Sequence, residues 1–175
     1  MHMKNIAFID IGAGYKGAHN TGFIEALYSY AIIDTVNVCL VCHMSISKEW
    51  VRKLESKKIQ VHKVFKTNIF ELFDKKYSFK RLMVYIYELS EEFVSILNSL
   101  LEKFPTGDVN AIFHTMSWEH IQALAIAIKE INNNRLRIHV FLMYWPGINS
   151  DLKYESVDLA VKYKISLKAL IKSSN

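Results

Sequence analysis

From Ile6 to Ile11 the chain is a short run of β-branched and aromatic residues, Ile6-Ala7-Phe8-Ile9-Asp10-Ile11, broken by one carboxylate. It passes at once into Gly12-Ala13-Gly14-Tyr15-Lys16-Gly17, so the pattern predicts a strand followed by a loop. Beyond Thr21 the period changes. Phe23, Ile24, Leu27, Tyr28, Ala31 and Ile32 recur at three and four, which predicts a helix over Thr21 to Ile33. A strand over Val36 to Cys42, a helix over Lys48 to Ser56 and a strand over Ile59 to Val64 follow. Strands alternating with helices in this way form a parallel sheet with helical crossovers.

The least regular stretch runs from Lys66 to Tyr77. After it, Leu82, Tyr85, Ile86, Leu89, Phe93, Ile96, Leu97 and Leu100 mark one long amphipathic helix over Arg81 to Phe104, stopped by Pro105-Thr106-Gly107-Asp108. A fourth strand is predicted over Val109 to His114. A helix over Trp118 to Asn132 comes next, with Ile121, Leu124, Ala125 and Ile128 facing inward. A fifth strand over Ile138 to Tyr144 ends in Trp145-Pro146-Gly147, and Asp158 to Lys172 is helical in pattern. The chain ends at Ser174 and Asn175 where a further strand is expected. The fold class that follows is α/β: one Rossmann-like domain, 1–175, with a mostly parallel sheet of five to six strands and helices on both faces.

Composition agrees with a packed domain. The chain is 51% hydrophobic and 22% charged, with 6 Gly and 2 Pro, which leaves no disordered or low-complexity segment. No apolar run approaches the roughly 20 residues that span a bilayer, and Met1 to Asn5 leads into a strand rather than a signal peptide, so a cytoplasmic protein is expected. Cys39 and Cys42 have CxxC spacing, but positions i and i+3 of a strand point to opposite faces. They are expected as two small core residues, and no metal site is expected.

The formal charge of +5 favours an acidic partner: a nucleotide diphosphate, an anionic lipid or a nucleic acid. Charge alone does not choose among them. The densest cationic cluster is Lys75-Lys76-Tyr77-Ser78-Phe79-Lys80-Arg81, where aromatic residues alternate with cations. That composition suits a solvated turn before a helix, and it also suits the headgroup surface of a membrane.

Gly12, Gly14 and Gly17 match G-x-G-x-x-G after a strand and before a helix, where backbone N–H groups and the helix dipole favour a phosphate. A dinucleotide site also needs an acidic residue closing the second strand, and Cys42-His43-Met44-Ser45 supplies none. Three readings therefore stand on these residues: an NAD(P)-binding dehydrogenase domain, a non-catalytic nucleotide- or phosphate-binding module, and glycines that serve only a tight turn.

The remainder of the loop, Lys16-Gly17-Ala18-His19-Asn20-Thr21-Gly22-Phe23, brings in a family. A first strand, a Gly-rich loop with Gly-Ala-His-Asn and a helix starting within it resemble the amino-terminal domain of GT-B glycosyltransferases. So do Ala111-Ile112-Phe113-His114-Thr115-Met116, a strand ending in His, and His139-Val140-Phe141-Leu142-Met143-Tyr144-Trp145-Pro146, a strand ending in aromatic and Pro. The resemblance implies an acceptor-side domain, the amino-terminal half of a two-domain enzyme that moves a sugar from a nucleotide-sugar to an acceptor hydroxyl. It implies that a carboxy-terminal domain, with the family's donor-binding carboxylate motif, holds most of the donor; neither is in this sequence. Activity of the isolated domain is therefore not expected, and no cofactor is expected besides the nucleotide-sugar co-substrate. A sugar or lipid-linked acceptor is expected, the cationic cluster around Lys76 and Arg81 suits peripheral attachment to the inner face of the membrane, and nucleic acid is not an expected partner.

Placement sorts the histidines. His2 is terminal, His62 and His139 fall inside strands, and His43 lies past a strand end with no partner apparent from sequence. His19 and His114 are expected at the carboxyl edge of the sheet, where open α/β folds bind ligands. A neutral imidazole there is suited to taking the acceptor proton, so both are candidate catalytic bases, and either is equally able to cap a helix. Asp10 needs a partner if buried, and orienting His19 is one role open to it. Gly12, Gly14, Lys16, Gly17 and Asn20 are candidates for holding the diphosphate and substrate. Tyr144 and Trp145 are candidates for stacking on a sugar or acyl chain, or for the rim of the core. Glu119 opens a helix, where a carboxylate suits the dipole without any ligand.

Overall fold

The computed structural model describes residues 4–14, 18–30, 36–66, 78–142 and 157–173, with the side chains of 18–21, 30 and 157–160 outside that set. In chain order it forms β1 (Lys4–Asp10), α1 (Ala18–Tyr30), β2 (Val36–His43), α2 (Lys48–Ser56), β3 (Gln60–Phe65), α3 (Phe79–Lys103), β4 (Val109–Met116), α4 (Trp118–Ile131), β5 (Leu136–Leu142) and α5 (Val157–Ser173). The five strands make one all-parallel sheet in the order β3-β2-β1-β4-β5. This is the Rossmann-like α/β architecture that the alternation of periods predicts.

The boundaries have local causes. Ser47 caps α2 by accepting the Trp50 N–H, and Ser78 caps α3 by accepting the Arg81 N–H, so α3 starts ahead of the first strongly periodic residue. Asn132 ends α4 in the left-handed region at φ 40°, a conformation asparagine tolerates better than most residues. The irregular stretch 67–77 and the end of the expected fifth strand, from 143 on, lie outside the described residues.

Alternation along the strands builds two cores. Ala7 and Ile9 of β1, Cys39 and Val41 of β2, and Val109, Ala111 and Phe113 of β4 point to the face covered by α3, α4 and α5, where Phe93, Leu97, Leu124 and Tyr163 are buried. Phe8, Val38, Leu40 and Cys42 point the other way, beneath Ile24 and Leu27 of α1 and Leu54 of α2. Cys39 and Cys42 thus fall on opposite faces, as strand geometry requires. No helix among the described residues is long and apolar enough to cross a membrane.

The sheet order places a switch point between β1 and β4. β1 leads to α1 on one face and β4 leads to α4 on the other, so the two connections diverge and open a crevice at the carboxyl ends of these neighbouring strands.

Candidate functional site

Asp10 ends β1 at that crevice and has no exposed surface. A buried carboxylate must be compensated, and three donors do this. The Gly12 N–H reaches Oδ1 at 2.9 Å, the Thr115 hydroxyl reaches Oδ1 at 3.3 Å, and Nδ1 of His114 lies 2.9 Å from Oδ2. Ile9 pairs with Phe113 across β1 and β4, which sets Asp10 beside His114 one residue further along. The partner that Asp10 needed is therefore His114.

The bond to Asp10 fixes the tautomer. A carboxylate only accepts, so the contact requires the proton on Nδ1, which directs Nε2 away from Asp10, and the side chain is 30% exposed. Phe23 of α1 stacks on the ring with centroids 4.1 Å apart and planes 13° from parallel, holding its orientation, and Phe8 supports Phe23 edge-on at 6.0 Å. An imidazole fixed by a carboxylate at one nitrogen and open at the other is arranged for proton transfer.

β4 is bent at this point. Its pairing with β5 runs Phe113↔Val140 and resumes at Met116↔Leu142, so an extra residue is inserted on β4, and Thr115 has φ 54°. A β-branched residue in the left-handed region costs about 1–3 kcal/mol and persists where its surroundings hold it. The hydroxyl bond to Asp10 is one such hold.

The glycines have packing roles in the same turn. Gly14 has φ 93°, and a Cβ there would lie 2.5 Å from the Ile46 backbone, so the β1 loop closes directly on the β2–α2 loop. The Gly12 N–H is taken by Asp10. His43, buried at the end of β2, completes the tie: Nδ1 accepts the Ser45 N–H at 3.1 Å, and Nε2 lies 3.1 Å from the Lys66 carbonyl. The Ser45 hydroxyl sits 2.7 Å from Nδ1 and 3.0 Å from the Gly14 carbonyl. This histidine joins the ends of three strands.

Two polar residues opening α4 are buried as well. Nδ1 of His120 accepts the Ser117 N–H at 3.2 Å, and Nε2 lies 3.1 Å from the Tyr85 hydroxyl. Burial pushes the His120 pKa down to about 4, which keeps the ring neutral. Glu119 is only 4% exposed, and burial raises its pKa against a weaker pull from Ser117 and Lys162.

Beyond α1, the same face of the sheet is uncovered among the described residues. Arg137, His139 and Phe141 of β5 are exposed, and an open groove of about 700 Å³ passes over Ile6, Asn110, Ile112, His139 and Phe141. On β4, His114 is the next side chain after Ile112 on that face.

Of the residues singled out by sequence, Gly12, Gly14, His114 and Asp10 come together at the crevice. The backbone of His19 and Asn20 lies in the first turn of α1, and their side chains are outside the described residues, as are Lys16, Gly17, Tyr144 and Trp145 altogether. Phe23 and Thr115 belong to the site and were not picked out: Phe23 counts in sequence only as part of a helix stripe, and Thr115 carries no signal beyond following a strand-end histidine. Among the described residues no three His, Cys, Asp or Glu side chains cluster as metal ligands. No protein-family model matches the sequence, and no curated protein matches it.

Proposed function

We propose that this chain is the acceptor-side domain of a GT-B-like glycosyltransferase, with His114 as the general base. The observation that carries the reading is the Asp10–His114 pair, set at the switch point of a parallel sheet with Nε2 left open. In the proposed step Nε2 takes the acceptor hydroxyl proton as the oxygen bonds to the anomeric carbon of the donor, and the bond from that carbon to the nucleoside diphosphate breaks. Asp10 stabilises the imidazolium that forms, and the Phe23 stack holds its plane. The donor is a nucleotide-sugar held mainly by a second domain, as the resemblance in sequence implies.

Two observations weigh against a dinucleotide at the same crevice. The Gly12 N–H already serves Asp10, and the end of β2 offers the buried His43 in place of a ribose-binding carboxylate. Thermal unfolding of the full-length polypeptide with UDP- and GDP-sugars, free nucleotides and NAD(P)H tests the reading, because a ligand that binds only the folded state raises the melting temperature. The expected result is a shift with a nucleotide-sugar and none with NAD(P)H. A shift with NAD(P)H alone would overturn the proposal.

A further inference from the structure

The most exposed apolar side chain among the described residues belongs to the start of α3. Phe93, in the middle of this helix, packs on Phe65 at 6.0 Å and Phe113 at 5.2 Å, near the carboxyl ends of β3 and β4. At the other end, Lys103 reaches His62, and the carbonyl of Phe104 accepts from Arg135 beside the start of β5. α3 therefore runs antiparallel to the strands, and its amino-terminal turns extend past the sheet. At 1.5 Å per residue, Phe79 stands about 20 Å along the helix from Phe93.

Leu82 is partly buried against the core, and Tyr85 meets His120 of α4. Ahead of that contact the helix presents Phe79 at 78% exposure, Met83 at 45% and Val84 at 47%, and Tyr87 continues the stripe of Phe79 and Met83 at four-residue spacing. Lys80 and Arg81 are exposed among them, and the first turn holds no acid. The helix carboxylates at Glu88 and Glu91 begin only below this tip. Cations at a helix start oppose the macrodipole, so the arrangement costs helix stability until an anion faces it.

We propose that this tip of α3 docks the protein on an anionic lipid bilayer. Aromatic and thioether side chains enter the interface, while Lys80 and Arg81 extend their flexible stems to lipid phosphates. The order of charge along the helix, positive at the tip and negative below it, fits end-on contact rather than a helix lying flat. The tip shares the carboxyl edge of the sheet with Asp10 and His114, so bound lipid would lie on the side where the crevice opens. The proposal stands on the exposed tip alone and does not depend on the glycosyltransferase reading.

Sedimentation with vesicles of phosphatidylcholine, with and without phosphatidylglycerol, tests it. The expected result is co-sedimentation with the anionic vesicles, weakened by salt, and a loss of about tenfold or more in both Phe79→Ser/Met83→Ser and Lys80→Glu/Arg81→Glu. All four positions are exposed, so Phe79→Ser/Met83→Ser should nearly keep the wild-type unfolding midpoint, and Lys80→Glu/Arg81→Glu, which puts carboxylates in the first helical turn, should keep or slightly raise it. Absence of lipid-dependent sedimentation, or full binding by both variants, would overturn the proposal. So would a lipid-free dimer that Phe79→Ser/Met83→Ser returns to monomer, since the tip would then be a contact between copies of the chain.

Discussion

Two histidines flank the turn between β4 and α4, and the fold treats them in opposite ways. His120 is fully enclosed: one nitrogen caps the helix start, the other meets a tyrosine hydroxyl, and burial holds the ring neutral. His114 has one nitrogen tied to a buried carboxylate and one ring face covered by Phe23, and it keeps a route to solvent. Both are well ordered by their neighbours, so order alone does not mark a functional residue. The difference is that every polar atom of His120 is satisfied inside the protein, whereas Nε2 of His114 has no hydrogen-bond partner among the described residues.

The comparison is broken most severely at His114. His114→Asn retains an N–H donor toward Asp10 and removes the basic nitrogen, so on the proposed transferase reading glycosyl transfer should fall by about 10²–10⁴-fold while the denaturant midpoint hardly moves. Wild-type turnover in that variant would remove His114 from the mechanism.

His120→Ala should show the reverse pattern. It removes the ring that serves Ser117 and Tyr85 and opens a cavity between α3 and α4, so chemical denaturation should show a loss of about 2–4 kcal/mol. Turnover should be unchanged at temperatures where the variant is folded.

The third difference is in pH. The folded pKa of His120, about 4, lies below the unfolded value of about 6.5, so the unfolded chain binds its proton first as pH falls. The stability tied to a neutral His120 is complete above the unfolded value and is lost between the two, at about 1.4 kcal/mol per pH unit within the window. His120→Gln should lack this slope. The opposite contribution of Glu119, whose raised pKa favours the folded state on acidification, and the lowered pKa of His62 are common to both proteins and drop out of the difference. Parallel stability curves for the two proteins between these pH values would show that His120 is not held neutral by the fold.

Strand and helix identity is legible in this sequence because the periods are clean: Phe79–Lys103 shows an uninterrupted helical stripe, and the predicted helix over Lys48 to Ser56 coincides with α2. Strand order is not legible locally. It decides that Asp10 at the end of β1 meets His114 at the end of β4, which are 104 residues apart. His114 was accessible as a strand-end histidine and Asp10 as a carboxylate in need of a partner, but the pairing of the two comes from tertiary neighbourhood. The bulge at Thr115 was equally hidden, since a threonine gives no sign that its φ will be positive. Gly14 illustrates a different limit. A glycine required for close approach to Ile46 and a glycine required by a phosphate look alike in sequence.

The placement of the two cysteines has a consequence for how the protein comes apart. Cys39 and Cys42 are three residues apart on one strand, yet each is sealed in a different core, and burial pushes their thiols up to about 11 and about 12. Neither ionises or meets an alkylating reagent while its own layer is closed. The strand thus carries one chemical reporter for the α3–α5 layer and another for the α1–α2 layer, able to tell whether the two sides of the sheet open together or one ahead of the other.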